Sequence, residues 1–352
     1  MRVLELDSAH RRLRLQLETP EDLYFTSLLI DPGDFVTAWT LRQVKIERAT
    51  GVERGERVRV KLTLQVKKVE FQRFTDSLRV LGVIVEAPEW LHVKGTHHTI
   101  ALRPGDELEL EKAALLKHHY RILKIAATRV RPLGVVSVGE GELAVGLVRP
   151  QGVEVILTLA LPRPSKEGSF KDQLRRELEE RLENVMKSLE GREVNSVVVA
   201  APQLALEVVR EVVARMKPRL KISFMKVSEG GLAGIYELLR NERAQRMFEE
   251  VRLAPARGAL MKLLELAGRD PGRVALGVDE VKRALELRAV RTLLLLDEVL
   301  LSDKRGEVLK VLEEASRIAE DVVVIPSALE ESAFLSKSGG IAAILYFRLP
   351  PS

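Results

Sequence analysis

Residues 57–69 read Arg-Val-Arg-Val-Lys-Leu-Thr-Leu-Gln-Val-Lys-Lys-Val. Val58, Val60, Leu62, Leu64 and Val66 fall on one face of this segment, and Arg57, Arg59 and Lys61 on the other. A period of two predicts a half-buried β-strand with a cationic outer face. The charge is concentrated here: residues 42–79 hold eleven Lys/Arg against five Asp/Glu, while the whole 352-residue chain carries a net charge of only +5. Clustered cations suit a polyanion, because neutralising neighbouring phosphates releases their condensed counterions. A merely solvated strand face is the alternative for a single charged strand. The preceding tip, Ala49-Thr50-Gly51-Val52-Glu53-Arg54-Gly55, favours recognition, since its glycines suit an exposed hairpin loop on a rigid scaffold. The candidate binding residues are Arg42, Lys45, Arg48, Arg54, Arg57, Arg59 and Lys61.

Outward from this strand, residues 1–130 read as all-β. Short alternating runs at 12–17, 35–41, 58–69, 78–85, 99–102 and 107–110 are separated by turn signals such as Asp31-Pro32-Gly33-Asp34 and Arg103-Pro104-Gly105-Asp106, which predicts a small barrel. Residues 131–255 change period. Three strands precede a charged helix from about Phe170, whose Leu174, Leu178, Leu182, Val185 and Leu189 recur at helical spacing. The continuous apolar run Val197–Ala201 then predicts a buried parallel strand. Residues 256–352 alternate helices and strands again. The expected fold class is a multidomain α+β protein, an N-terminal β-barrel followed by two α/β domains, each long enough for its own core.

Composition narrows the function. The chain has no cysteine, which removes disulfides, thiolate metal sites and thiol nucleophiles. No apolar run reaches membrane-spanning length and the N-terminus lacks an apolar signal core, so a cytoplasmic protein is expected. Few Asn and Gln beside many Arg and Glu resemble thermophile usage. No Gly-x-Gly-x-x-Gly, Walker loop, His-Glu-x-x-His or Gly-x-Ser-x-Gly is present. Read as strand residues, His97-His98 and His118-His119 each offer one ligand to a given face. Glu21, Asp22 and Asp34 surround an expected turn, where they either hold a divalent cation or cap and close the turn. Gly230-Gly231 suits either a loop near a ligand or the turn that opens a helix. A binding factor fits this inventory better than an enzyme.

Several strings, in order along all three segments, resemble the Pelota family, a paralogue of the class I release factors. They are Thr19-Pro20-Glu21-Asp22-Leu23-Tyr24, Asp31-Pro32-Gly33-Asp34, Leu78-Arg79-Val80-Leu81-Gly82 and Lys94–Thr99 in the first segment. Glu140-Gly141-Glu142 and Leu161-Pro162-Arg163 follow in the second, and Gly277–Val281, Thr292–Leu295 and Gly340–Leu345 in the third. The resemblance implies an Sm-like barrel reaching the ribosomal decoding site, a central release-factor-like domain and a C-terminal domain of the ribosomal-protein L7Ae type. It implies rescue of stalled ribosomes in no-go mRNA decay. The partners would be the ribosome with its rRNA and mRNA near the A site, a GTPase of the elongation-factor-one-alpha type and an ABC-type recycling ATPase. A monomer is expected, with no cofactor needed for binding.

The sequence departs twice from the patterns of the families it resembles. Release factors carry Gly-Gly-Gln, whereas the two Gly-Gly pairs here precede Leu232 and Ile341; this agrees with Pelota, whose members lack the motif. The family's Pro-Gly-Phe partner-binding turn is replaced by Pro202-Gln203-Leu204. The alternative reading is a metal-dependent endoribonuclease, for which Glu21, Asp22 and Asp34 are the candidate catalytic residues and a divalent metal the cofactor.

Overall fold

The computed structural model describes residues 1–9, 11–43, 46–48, 51–53, 57–72, 75–127, 132–149, 152–161, 163, 170–192, 194–216, 218–241, 254–302, 305–327 and 329–350. Two compact units emerge: residues 1–129 together with 258–352, and residues 130–257.

In the first unit, the N-terminal residues form β1 (Arg2–Asp7), β2 (Arg12–Gln16), α1 (Pro20–Leu29), β3 (Phe35–Gln43), a small ladder of β4 (Ile46–Arg48) and β5 (Gly51–Glu53), β6 (Arg57–Phe71), β7 (Leu78–Glu86), β8 (His97–Leu102), β9 (Glu107–Glu111) and α2 (Lys117–Ala127). Seven strands make one sheet in the order β1-β2-β9-β3-β6-β7-β8. Every pairing in it is antiparallel. The alternation in β6 is realised: Val60, Leu62, Leu64 and Val66 are buried, while Arg57, Arg59 and Lys61 are exposed.

The segment is not all-β, and both helices correct that reading. Thr19-Pro20-Glu21-Asp22 opens α1 rather than a turn. Asp22 Oδ2 accepts the backbone N–H of Thr19 at 3.0 Å and of Glu18 at 2.8 Å, the carboxylate half of a capping box. Asp22 to Leu29 are all buried, so no apolar stripe betrays the helical period. Likewise His118-His119 lie on α2, not on a strand. There they occupy the buried stripe with Ile122, Leu123 and Ala126, where an apolar residue would have signalled a helix.

The rest of this unit comprises α6 (Ala254–Arg269), counted from Gly258, then β15 (Val274–Leu276), α7 (Gly277–Glu286), β16 (Val290–Leu296), α8 (Asp297–Leu301), α9 (Arg305–Ile318), β17 (Asp321–Ile325), α10 (Ala333–Lys337) and β18 (Ile341–Leu345). Its sheet runs β15-β18-β16-β17. One hydrophobic cluster contains both Leu23, Leu28 and Ile122 from the first segment and Leu300, Val308 and Leu312 from the third. The two segments therefore bury apolar surface against each other.

A buried ionic network lies at this junction. Arg305, 3 % exposed, donates from Nε and Nη2 to Asp31 Oδ1 at 2.7 and 2.6 Å. Its other donors reach the carbonyls of Ser27, Leu28 and Leu300 at 3.3, 3.2 and 2.7 Å. This fills the five-donor guanidinium fork. Lys112 Nζ donates to Asp31 Oδ2, Asp34 Oδ2 and the Leu29 carbonyl at 2.7, 2.5 and 2.6 Å, its full complement. His119 Nδ1 accepts the Leu116 N–H at 3.0 Å, so its proton sits on Nε2, 3.2 Å from Asp31 Oδ2. Tyr24 donates its hydroxyl to Asp297 Oδ2 at 3.1 Å.

The second unit contains β10 (Leu133–Val138), β11 (Glu142–Arg149), β12 (Gly152–Ala160), α3 (Phe170–Glu190), β13 (Ser196–Ala201), α4 (Gln203–Met216), β14 (Lys221–Lys226) and α5 (Gly231–Arg240). Its sheet, β12-β11-β10-β13-β14, is antiparallel across β10–β12 and parallel across β10, β13 and β14. Gly230 is the N-cap of α5, which resolves the glycine pair as a helix opening. A Cβ at Gly230 would lie 2.1 Å from the Cα of Gly139, so this close strand–helix approach requires glycine. Glu142 Oε2 accepts the Leu232 N–H at 3.0 Å, placing a carboxylate at the positive end of the helix. Among the described residues no helix is long and apolar enough to cross a membrane.

Arg305→Ala would orphan one oxygen of a buried carboxylate and three carbonyls. Loss of a buried ion-pair partner costs about 3–5 kcal/mol, so chemical denaturation should show a destabilisation of that order; a change near zero would refute the network's role. Acid sensitivity follows from the two imidazoles. Burial pushes His119 down to about 4 and holds His118 well below the ordinary histidine value. The unfolded chain binds these protons as pH falls through about 6.5, whereas folded His119 does not until about 4 and folded His118 resists protonation well below the ordinary value. Stability should therefore drop across that window, by up to about 1.4 kcal/mol per pH unit per histidine. Asp34, raised by burial, opposes this in its own titration range, so the measurement is a difference: replacing both histidines by Gln should flatten the wild-type slope.

Candidate nucleic-acid interface

In the β3–β6 pair, Trp39 stands opposite Lys61, Leu41 opposite Arg59 and Gln43 opposite Arg57. Directly paired residues share a face of the sheet. These six side chains therefore point away from Val36, Ala38, Val60 and Leu62, which fill the core. Trp39 is 50 % exposed and Leu41 59 %. The Arg59 guanidinium carbon lies 5.4 Å from the centroid of the Trp39 ring, a diagonal cation–π contact across the ladder. Lys61 Nζ donates to Glu109 on β9 at 2.8 Å, which offsets part of its charge. Among the described residues no ion pair holds Arg57 or Arg59.

The basic candidates thus divide. Arg57, Arg59 and Lys61 form one outward row. Arg42 lies on the opposite face, paired with Val58. It donates to His98 Nδ1 at 3.2 Å and to Thr96 Oγ1 at 3.1 Å. With Nδ1 accepting, His98 carries its proton on Nε2 and meets Thr40 Oγ1 at 3.1 Å. Burial, then the Arg42 charge, lowers the His98 pKa, so the imidazole is a neutral prop for Arg42. Arg48 lies on β4, while Lys45 and Arg54 fall outside the described residues. The alternation reading missed Trp39 and Leu41, although their spacing with Phe35 and Thr37 on β3 signals this outer face.

The carboxylate candidates do not fit a divalent cation. Asp22 places Oδ1 2.5 Å from the Met1 ammonium and gives Oδ2 to the helix cap. Asp34 gives Oδ2 to Lys112 and to the Asp31 N–H at 2.7 Å. Glu21 sits in the first turn of α1, and no group of three potential ligands occurs among the described residues. In the second unit, Pro202 precedes α4, its carbonyl accepting the Leu206 N–H at 2.8 Å. Gln203 lines a hollow with Leu206, Glu207, Arg210 and Phe224, and Leu204 is 57 % exposed beside it.

Residues 1–127 match the family model of the Pelota N-terminal domain, and residues 253–349 that of eRF1 domain 3. The protein pelota homolog of Thermofilum pendens is 36 % identical over 353 residues, covering 99 % of this chain and 100 % of its own. The chain belongs to the Pelota family. The crystal structure of the Thermoplasma acidophilum Pelota protein shares the fold, with a TM-score of 0.74 at 19 % identity over 99 % of this chain and 100 % of that one. Saccharomyces cerevisiae Dom34 has a TM-score of 0.50 at 19 % identity, covering 99 % of each chain. Its structure is described as a translation termination-like factor involved in RNA quality control pathways and interacting with Hbs1. The outward β3–β6 row thus lies within the Pelota N-terminal domain.

Reversing Arg57 and Arg59 to Glu should weaken binding to single-stranded RNA and lower the slope of log affinity against log salt by about one unit per lost phosphate contact. An unchanged slope with the fold intact by circular dichroism would remove this face as a polyanion surface.

Proposed function

We propose that this chain is a ribosome-rescue factor: it recognises ribosomes stalled on mRNA, as in no-go decay, and promotes their dissociation without hydrolysing peptidyl-tRNA. The observation that carries the reading is the cationic β3–β6 face within the Pelota N-terminal domain of a chain related to its family along its whole length. A row of arginines on a rigid sheet suits rRNA and mRNA near an empty A site, where affinity comes from phosphate contacts. The ribosome is the principal partner in this reading. A translational GTPase delivers the factor, by analogy with the Hbs1 contact described for Dom34, and an ABC-type ATPase completes subunit splitting. The turn Pro202-Gln203-Leu204, with exposed Leu204, is the proposed contact for the GTPase. The absence of Gly-Gly-Gln from the sequence supports a factor that leaves the peptidyl ester intact.

The purified chain, incubated with stalled ribosomes, the GTPase and the ATPase, should accelerate subunit splitting, and Arg57→Glu with Arg59→Glu should reduce that acceleration. Alone on termination complexes it should release no peptide. Peptide release at a class I release-factor rate, or splitting indifferent to the charge reversal, would overturn the proposal.

A further inference from the structure

A half-exposed tryptophan on a cationic strand face calls for a partner. Trp39 and Leu41 are both exposed on the strand facing Arg57, Arg59 and Lys61. We infer that Trp39 is a base-stacking platform for an unpaired nucleotide of single-stranded RNA, with Arg57 and Arg59 holding the flanking phosphates. The inference rests on reading this face as a polyanion surface and adds which form of polyanion it takes.

Three observations carry it. Arg59 lies over the Trp39 ring at 5.4 Å, so the indole is oriented by its neighbour while much of it stays open to solvent. The same guanidinium covers one face of the ring, so a base takes the other and brings its phosphate close to this charge. The charge on the face is unevenly offset: Lys61 is paired with Glu109, while among the described residues no ion pair engages Arg57 or Arg59. Phosphate charge is therefore best met at the Arg57–Arg59 end of the row, opposite Gln43 and Leu41 and one diagonal step from Trp39. A duplex keeps its bases stacked within the helix, and only an unpaired base can lay its π-face on an aromatic side chain. Charge complementarity favours RNA over an apolar protein surface, which would leave the two arginines desolvated without partners.

The test uses the full chain with Trp90→Phe, leaving Trp39 as the single tryptophan, since the sequence contains two. The probes are an oligoadenylate of about ten nucleotides and an abasic ribose-phosphate oligomer of the same length. The oligoadenylate should quench Trp39 fluorescence and the abasic oligomer should not. Trp39→Thr, which keeps a strand-favouring residue, should weaken oligoadenylate binding by about 5- to 150-fold, the range expected for one stacked base. It should leave abasic affinity and the salt slope unchanged, and Trp39→Phe should restore most of the loss. Salt-dependent oligoadenylate binding without quenching, and without an effect of Trp39→Thr, would overturn the stacking site yet keep the charged face. Equal losses toward both probes would make Trp39 a structural residue and overturn it. Loss of ribosome binding with RNA binding intact would assign Trp39 to a protein contact, again overturning it. Failure of either oligomer to bind with salt dependence would instead remove the polyanion reading itself.

Discussion

The first unit depends on placing four charges where water cannot reach them. Asp31, Asp34, Lys112 and Arg305 are almost wholly buried, and isolated charges in such a setting cost several kcal/mol each. The cost is met by neutrality and by geometric completeness: two carboxylates face two cations, and the cations' donors are all used. The Arg305 charge is the principal attraction holding the Asp31 carboxyl well below its ordinary value, against the upward push of burial. Ridding the site of charge by hydrophobic replacement would keep packing but lose direction. An arginine fork accepts few arrangements of a carboxylate and three carbonyls, and that selectivity fixes how the third segment seats on the first.

Much of the fold could be read from period alone, because most elements expose one face and bury the other. The β6 alternation, the α3 leucine stripe and the apolar β13 run each carry their environment in their spacing. Where the spacing failed, burial was the reason. Helix α1 is buried all round, and α2 hides two histidines in its apolar stripe. The shared core of the first and third segments had no local signature, since its key contact joins residues 274 positions apart.

The site was legible in part for the same reason. A cationic outer row follows directly from alternation in β6, but the face of a sheet belongs to two strands. Trp39 becomes meaningful only when β3 is laid beside β6 in register, and register is a tertiary fact. Arg42 shows the converse: its charge counts in a sequence tally, yet its strand parity turns it toward His98 and away from the outer row. For the acidic trio the sequence left a cation site and a capping role open. The cap that Asp22 makes with Thr19 and Glu18 is local and lay within that reading, whereas the Met1 ammonium beside Asp22 and Lys112 beside Asp34 lie 21 and 78 positions away.

The discontinuity of the first unit also shapes how the protein is made. Asp31 leaves a synthesising ribosome 274 residues before Arg305, a delay of roughly 15 to 55 s at ordinary elongation speeds. For that interval the nascent N-terminal sheet holds an uncovered Asp31 and an incomplete apolar core, while the intervening unit is already able to close. The last native contacts of this body therefore wait until its third segment has left the ribosome. A chain broken off before residue 305 would retain its cationic strand but carry a sticky, half-neutralised seam, a substrate for chaperones or proteases rather than a working fragment.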